Sequence, residues 1–150
     1  MTAGLSERLV LNSDLKHLNL VRKFVKRIIS KAHLKLDDEH RIVLAADETL
    51  SNIIKHAYKF NRNGYIDLTV SIDNSKLQIL LVHGGKHFDV SKLKNKTNDI
   101  EKRIRQGKKD GFGVFLILRI IDEIRYAYKN GQNYLTLIKY LPSKCCKKND

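Results

Sequence analysis

Apolar residues along this chain recur with two different periods, and the switch between them marks its elements. Leu15, Leu18, Val21, Val25, Ile28, Ile29 and Ala32 return at helical spacing, with Lys16, Arg22, Lys23, Lys26 and Arg27 off that stripe. Asn12-Ser13-Asp14 just before them suits a helix cap, and a short strand is predicted at Arg8 to Leu11. A second helix is predicted over Leu44 to Phe60, with Asp37-Asp38-Glu39 placing negative charge where it begins, as the helix dipole favours. At about 100° per residue, Val43, Ala46, Leu50, Ile53, Ile54 and Ala57 form one stripe, and Glu48, Asn52 and Lys55 fall opposite.

The period then drops to two. Ile66, Leu68, Val70 and Ile72 alternate with polar residues, as in a strand with one buried face. Asp73-Asn74-Ser75 turns the chain into Leu77 to Val82, which is almost wholly apolar and is expected at the centre of a sheet. Gly111-Phe112-Gly113 leads into an apolar helix over Val114 to Ile121. A hairpin closes the pattern: Ile124 to Lys129, the turn dipeptide Asn130-Gly131, then Asn133 to Leu141. The order β, α, α, β, β, long connection, α, β, β predicts an α+β fold, a mostly antiparallel sheet with helices segregated on one face.

Composition narrows this to one domain. With 150 residues, 42% of them apolar, the chain supports a single core, taken as residues 1–142 with a basic tail at 143–150. No run is long and apolar enough for a membrane helix, and the start lacks a secretory signal, so a soluble cytoplasmic protein is expected. Cys145 and Cys146 are adjacent in the tail, which neither staples a fold nor matches a metal site. The net charge of +13 favours anionic partners, whether nucleic acid, acidic protein or small ligand. Much of it sits in Lys92 to Lys109 and Lys144 to Lys148, which lack base-stacking aromatics, so nucleic acid is not the first expectation.

Candidate chemistry lies on the second helix and in two glycine stretches. Glu48 and Asn52, at i and i+4, lie over one patch of surface and both offer oxygen to a hydrated cation such as Mg²⁺. On a solvated helix the same pair is common, and Leu44 and Ala45 beside it argue for a pocket wall. His83-Gly84-Gly85-Lys86-His87-Phe88-Asp89 follows the central strand as a loop where glycine permits close backbone approach. Ser91 to Asp110 is polar, basic and long enough for a lid. Gly111 and Gly113 before a helix offer exposed N–H groups at its positive end, an anion site in outline.

Glu48-Thr-Leu-Ser-Asn52 followed by His56-Ala57-Tyr58, then Phe88-Asp89 and Gly111-Phe-Gly113-Val-Phe115-Leu-Ile, resembles the anti-sigma factor serine kinases of the GHKL, or Bergerat-fold, ATPases. The resemblance runs from about residue 8 to residue 140. It implies a two-layer α/β sandwich that binds ATP and Mg²⁺, with Asn52 holding the metal and Glu48 acting as general base. It also implies phosphate contacts at Gly111 and Gly113. The expected acceptor is a serine or threonine of a small antagonist protein, with a sigma factor as a second partner and a homodimer as the working form. Two positions depart from the family's first glycine motif: His83 stands where an Asp accepts from the adenine amino group, and His87 stands where a second glycine is usual, while Gly85 matches. A neutral imidazole lacks a carboxylate's charge and second oxygen. Two functions therefore stay open: a protein serine/threonine kinase, and a protein-binding regulator of the same fold that has lost ATP binding through His83 and His87.

Overall fold

A computed structural model of the chain describes residues 4–87, 117 and 119–142. Five strands form one antiparallel sheet in the order β1-β2-β3-β5-β4. They span β1 (Leu5–Asn12), β2 (Tyr65–Ile72), β3 (Lys76–His83), β4 (Glu123–Lys129) and β5 (Gln132–Tyr140). As its apolar run predicts, β3 is the central strand, paired with β2 on one side and β5 on the other.

Two helices, α1 (Leu18–Ile29) and α2 (Leu36–Asn52), cover one face of the sheet. Val21, Val25, Ile28 and Ile29 of α1 are buried, and so are Ile42, Ala45, Ala46 and Leu50 of α2. They meet the inward residues Ile66, Leu68 and Val70 of β2, Leu77, Ile79 and Leu81 of β3, and Leu135 and Leu137 of β5. Burying a Val, Leu or Ile side chain contributes roughly 1.5–3 kcal/mol, so this layer is a large stabilising term. Ile117, Arg119 and Ile120 are helical, and the Ile121 N–H donates to the Ile117 carbonyl at 3.0 Å. This is the visible end of the helix expected at Val114 to Ile121; the rest of it lies outside the described residues, as do the lid at 91–110 and the tail at 143–150.

Local signals explain the boundaries. Asp14 caps the 3₁₀ turn Leu15–His17 by accepting from the Lys16 N–H, and that turn feeds α1. Asp73 Oδ1 accepts from the N–H groups of Ser75 and Lys76 at 2.7 and 2.9 Å, closing the β2–β3 turn. Asn130 and Gly131 have φ of 54° and 78°, the paired left-handed conformation of a two-residue hairpin turn. His33 takes the left-handed conformation that ends the 3₁₀ turn Ser30–Ala32.

The second helix differs most from expectation. It starts at Leu36, a turn or more before the apolar stripe, with Asp37, Asp38 and Glu39 in its first turn. Its α-helical part ends at Asn52, and Ile53–Ala57 continue as a π-helical turn. Lys59 and Phe60, predicted helical, are left-handed at φ of 50° and 65°. The Phe60 N–H donates back to the Ile54 carbonyl at 2.9 Å, which terminates the helix. Among the described residues no helix is long and apolar enough to cross a membrane.

Candidate functional site

The widening at the end of α2 sets the site's first wall. The Tyr58 N–H reaches the Ile53 carbonyl, five residues back, at 3.0 Å. Such π-helical turns shift the phase of the side chains that follow, and they recur at functional sites. Asn52 is the last α-helical residue before the shift, and Glu48 stands one turn earlier; both are half-buried. Thr49 between them is buried, its hydroxyl donating to the Ala45 carbonyl at 2.7 Å. The Asn52 amide nitrogen is shut off from water and has no hydrogen-bond partner. Buried polar atoms are normally paired, so the unpaired nitrogen makes Asn52 a candidate ligand-facing residue.

The second wall is the end of β3. His83 is not a loop residue, as the sequence reading had it, but the last residue of the strand. The antiparallel ladder extends one pair further on both sides, to Ile66 and to Asn133, and strand alternation then turns the imidazole inward. It is 1% exposed. Burial lowers its pKa from 6.5 to about 4, so the ring is neutral at physiological pH. Its Nδ1 lies 3.3 Å from the Gly85 N–H and accepts from it, which leaves the proton on Nε2. The Tyr58 ring packs against it at 5.8 Å between centroids, tilted by 59°.

The two walls are stitched together at Gly85. A Cβ there would stand 3.0 Å from the Ala57 Cβ and 3.2 Å from its carbonyl, so the close approach requires glycine. The Lys86 N–H donates to the Ala57 carbonyl at 2.8 Å. The glycine expected for backbone closeness thus serves the contact between the loop and the π-helical turn. His87, which stands where a second glycine is usual, is exposed and lays its ring 5.2 Å from Tyr126 and 5.1 Å from Tyr128. Gly111 and Gly113 lie outside the described residues, as do Phe88 and Asp89.

Asn133 is a site residue that the sequence reading missed. It is fully buried, and its amide donates to the His83 and Gly85 carbonyls at 3.2 and 2.9 Å. Its Oδ1 accepts from the Tyr126 hydroxyl at 2.5 Å. The available signal was its place in the alternation Asn133, Leu135, Leu137, where a carboxamide replaces an inward apolar residue. Tyr58 is a second brace: its hydroxyl donates to the Tyr65 carbonyl at 2.5 Å and accepts from the Gly84 N–H at 2.8 Å.

Gly64 makes room for that ring, since a Cβ there would lie 2.2 Å from a Tyr58 ring carbon. The ring is pinned at its hydroxyl by Tyr65 and Gly84. Gly64→Ala is therefore expected to destabilise the protein by about 1–3 kcal/mol, the usual cost of overpacking. Chemical denaturation would read this, and a loss below about 0.5 kcal/mol, the scale of ordinary surface changes, would mean the ring relaxes freely.

Comparison with known proteins adds to this geometry. Residues 11–139 match the family model described as the histidine kinase-like ATPase domain. The serine-protein kinase RsbW of Staphylococcus aureus strain MSSA476 is 29% identical over 140 residues, spanning 89% of this chain and 86% of the relative. The RsbW of strain JH9 is 29% identical over 137 residues with the same coverage. A solved structure of the RsbU and RsbW domains of Rv1364c from Mycobacterium tuberculosis superposes with a TM-score of 0.63 at 16% identity. It covers 95% of this chain but only 34% of that one, so this chain corresponds to about a third of that solved chain and the likeness speaks for the fold.

Proposed function

The chain belongs to the histidine kinase-like ATPase domain family, and we propose that within it the protein is an ATP-dependent serine/threonine kinase acting in partner switching. Its acceptor is then a serine or threonine of a small antagonist protein, with a sigma factor as the alternative partner, in the cytoplasm. The relatives named as serine-protein kinases over nearly the whole chain support this reading. The observation that carries it is the buried, unpartnered amide of Asn52 one turn from Glu48, at the seam where the β3 loop meets α2.

The residues fit the cation end of such a ligand. Asn52 would hold Mg²⁺, which needs few protein ligands and keeps several waters, and turning its carboxamide to present oxygen breaks no hydrogen bond at the orphaned nitrogen. Bound Mg-ATP supplies the transferable phosphoryl group and the charge neutralisation. Glu48 would take the proton from the acceptor hydroxyl, while Gly111 and Gly113 would offer backbone N–H groups to phosphate.

The base end fits less well. The one acceptor nitrogen of His83 is already engaged by Gly85, so the ring offers an adenine amino group only an N–H. That observation favours a second reading, a regulator of the same fold that works without nucleotide. Calorimetric titration of ATP with and without Mg²⁺ separates the two. The kinase reading expects Mg²⁺-dependent binding and labelled phosphate on a serine of the antagonist; no binding in either condition leaves the regulator. His83→Asp is expected to tighten ATP binding about tenfold to a hundredfold, the equivalent of about 1.5–3 kcal/mol from a charge-assisted hydrogen bond. If micromolar wild-type binding weakens instead, the loop reads adenine in its own way.

We assign the homodimer interface to the sheet face opposite the helices, where Val10, Asp67, Val82, Tyr134 and Ala127 stand in register and Val10 is 55% exposed. Light scattering is expected to give twice the monomer mass for the wild type and the monomer mass for Val10→Arg. A monomeric wild type removes the dimer.

A further inference from the structure

The middle helix α2 separates two grooves, and both use Leu44. The first, about 310 Å³, lies between α1 and α2, with Arg22, Lys23, Lys26 and His40 along it, Val43 and Leu44 beneath, and Asp47 at one side. The second, about 280 Å³, lies on the other side of Leu44, lined by Asp38, Arg41, Arg119, Ile120 and Lys139. Leu44 itself is 40% exposed, a large apolar side chain that the core does not use.

Charge around this ridge is mainly positive, with Asp38 and Asp47 the acidic members of the two linings. Asp47 is held 3.3 Å from Arg22, and Lys139 lies 3.3 Å from Asp122. The salt bridges among the described residues leave Lys23, Lys26 and Arg41 without a carboxylate. A small anion would neutralise one groove and ignore Leu44. Single-stranded nucleic acid wants stacking aromatics, and neither lining contains Phe, Tyr or Trp. A second copy of a chain carrying +13 would bring more positive charge to the same place. An acidic protein segment with an apolar residue among its carboxylates meets both features, an apolar anchor within a rim of complementary charge.

We propose that the α2 face around Leu44 docks an acidic segment of a partner protein, seating one apolar side chain of that segment on Leu44 between the two basic grooves. Leu44 stands one turn before Glu48 on the same side of the helix. If the kinase reading holds, the docked segment belongs to the phosphate acceptor; the docking itself does not need that reading.

The test uses the full chain and three probes: a fluorescein-labelled twelve-residue peptide of Asp, Glu and Ser with one central Leu, the same peptide with Ser at that place, and an oligothymidylate of equal charge. Fluorescence anisotropy at low salt is expected to show the Leu peptide binding about tenfold more tightly than its Ser counterpart, a preference worth about one apolar contact. Leu44→Ser is expected to erase that preference while leaving the melting temperature unchanged, because the side chain is exposed. Lys23→Glu combined with Lys26→Glu is expected to weaken both peptides, and added salt to do the same. Equal binding of the two peptides, or a preference that survives Leu44→Ser, overturns the proposal. So does oligothymidylate binding as tightly as the Leu peptide, which would make the face a nucleic-acid surface. Mg-ATP titration of the same variants keeps the readings apart: a peptide preference without nucleotide binding retains the docking face and removes the kinase.

Discussion

Replacing Glu48 by Gln is expected to slow phosphoryl transfer to a serine acceptor by about 10²–10⁴-fold, the usual contribution of a general base. The substitution keeps the side chain's length and one oxygen acceptor but cannot take a proton. Glu48 is half-buried on α2, a turn before the orphaned Asn52 amide, so a carboxylate there stands close to the proposed cation site. The two roles have different signatures. A base affects turnover and spares Mg²⁺-dependent nucleotide affinity, whereas a metal ligand affects both together. Initial rates with purified antagonist, alongside calorimetry of Mg-ATP, distinguish them. A rate loss below about tenfold would take the base role away from Glu48.

How much of this was legible in the sequence depends on how far each interaction reaches along the chain. Alternation placed Ile66, Leu68 and Val70 on the buried face because it reflects one strand's own geometry. Asp14, Asp73 and Asn130-Gly131 act within a few residues of themselves, and each does what its type predicts. The end of α2 was less visible. Ile53, Ile54 and Ala57 are buried in the π-helical turn, and a continuous α-helix would have buried the same residues, so apolar spacing could not show the change of hydrogen-bond register. The start was signalled by charge and not by spacing: Leu36 is exposed, so no stripe announces that turn, but Asp37, Asp38 and Glu39 mark it as expected.

The candidate site divides in the same way. Glu48, Asn52 and Gly85 were singled out by spacing and glycine placement. Asn133 was not, because its partners His83 and Gly85 lie about fifty residues away in sequence and join it only through the β3–β5 pairing. Ser13 is a similar case: read as part of a cap, it is buried, donates to the Asn61 carbonyl and accepts from the Gly64 N–H, tying the end of β1 to the loop before β2. Such pairings depend on sheet register, which a single strand's pattern leaves open.

His83 also predicts how the protein responds to acid. In the unfolded chain its imidazole takes a proton near pH 6.5; in the folded protein burial delays this to about pH 4. Between those values the unfolded state therefore holds more protons, and stability rises with pH across the window, so acidification favours unfolding. Above pH 6.5 both states carry a neutral ring and the effect vanishes. The separation corresponds to about 3 kcal/mol lost by pH 4, a sizeable part of a typical domain's stability. Glu7, Asp73 and Glu123 have pKa values held below the usual carboxylate range, chiefly by hydrogen bonds to Arg27, Ser75 and Arg125 respectively. They work in the same direction but at lower pH and in the open, where solvent screens them. His83→Asn isolates the imidazole, since its carboxamide oxygen can still accept from the Gly85 N–H but does not titrate. Chemical denaturation from pH 7 to pH 4.5 is expected to show a steady fall for the wild type and a nearly flat profile for His83→Asn down to about pH 5. Parallel profiles for the two proteins would mean that the acid sensitivity arises elsewhere and that the ring gains access to water before it charges.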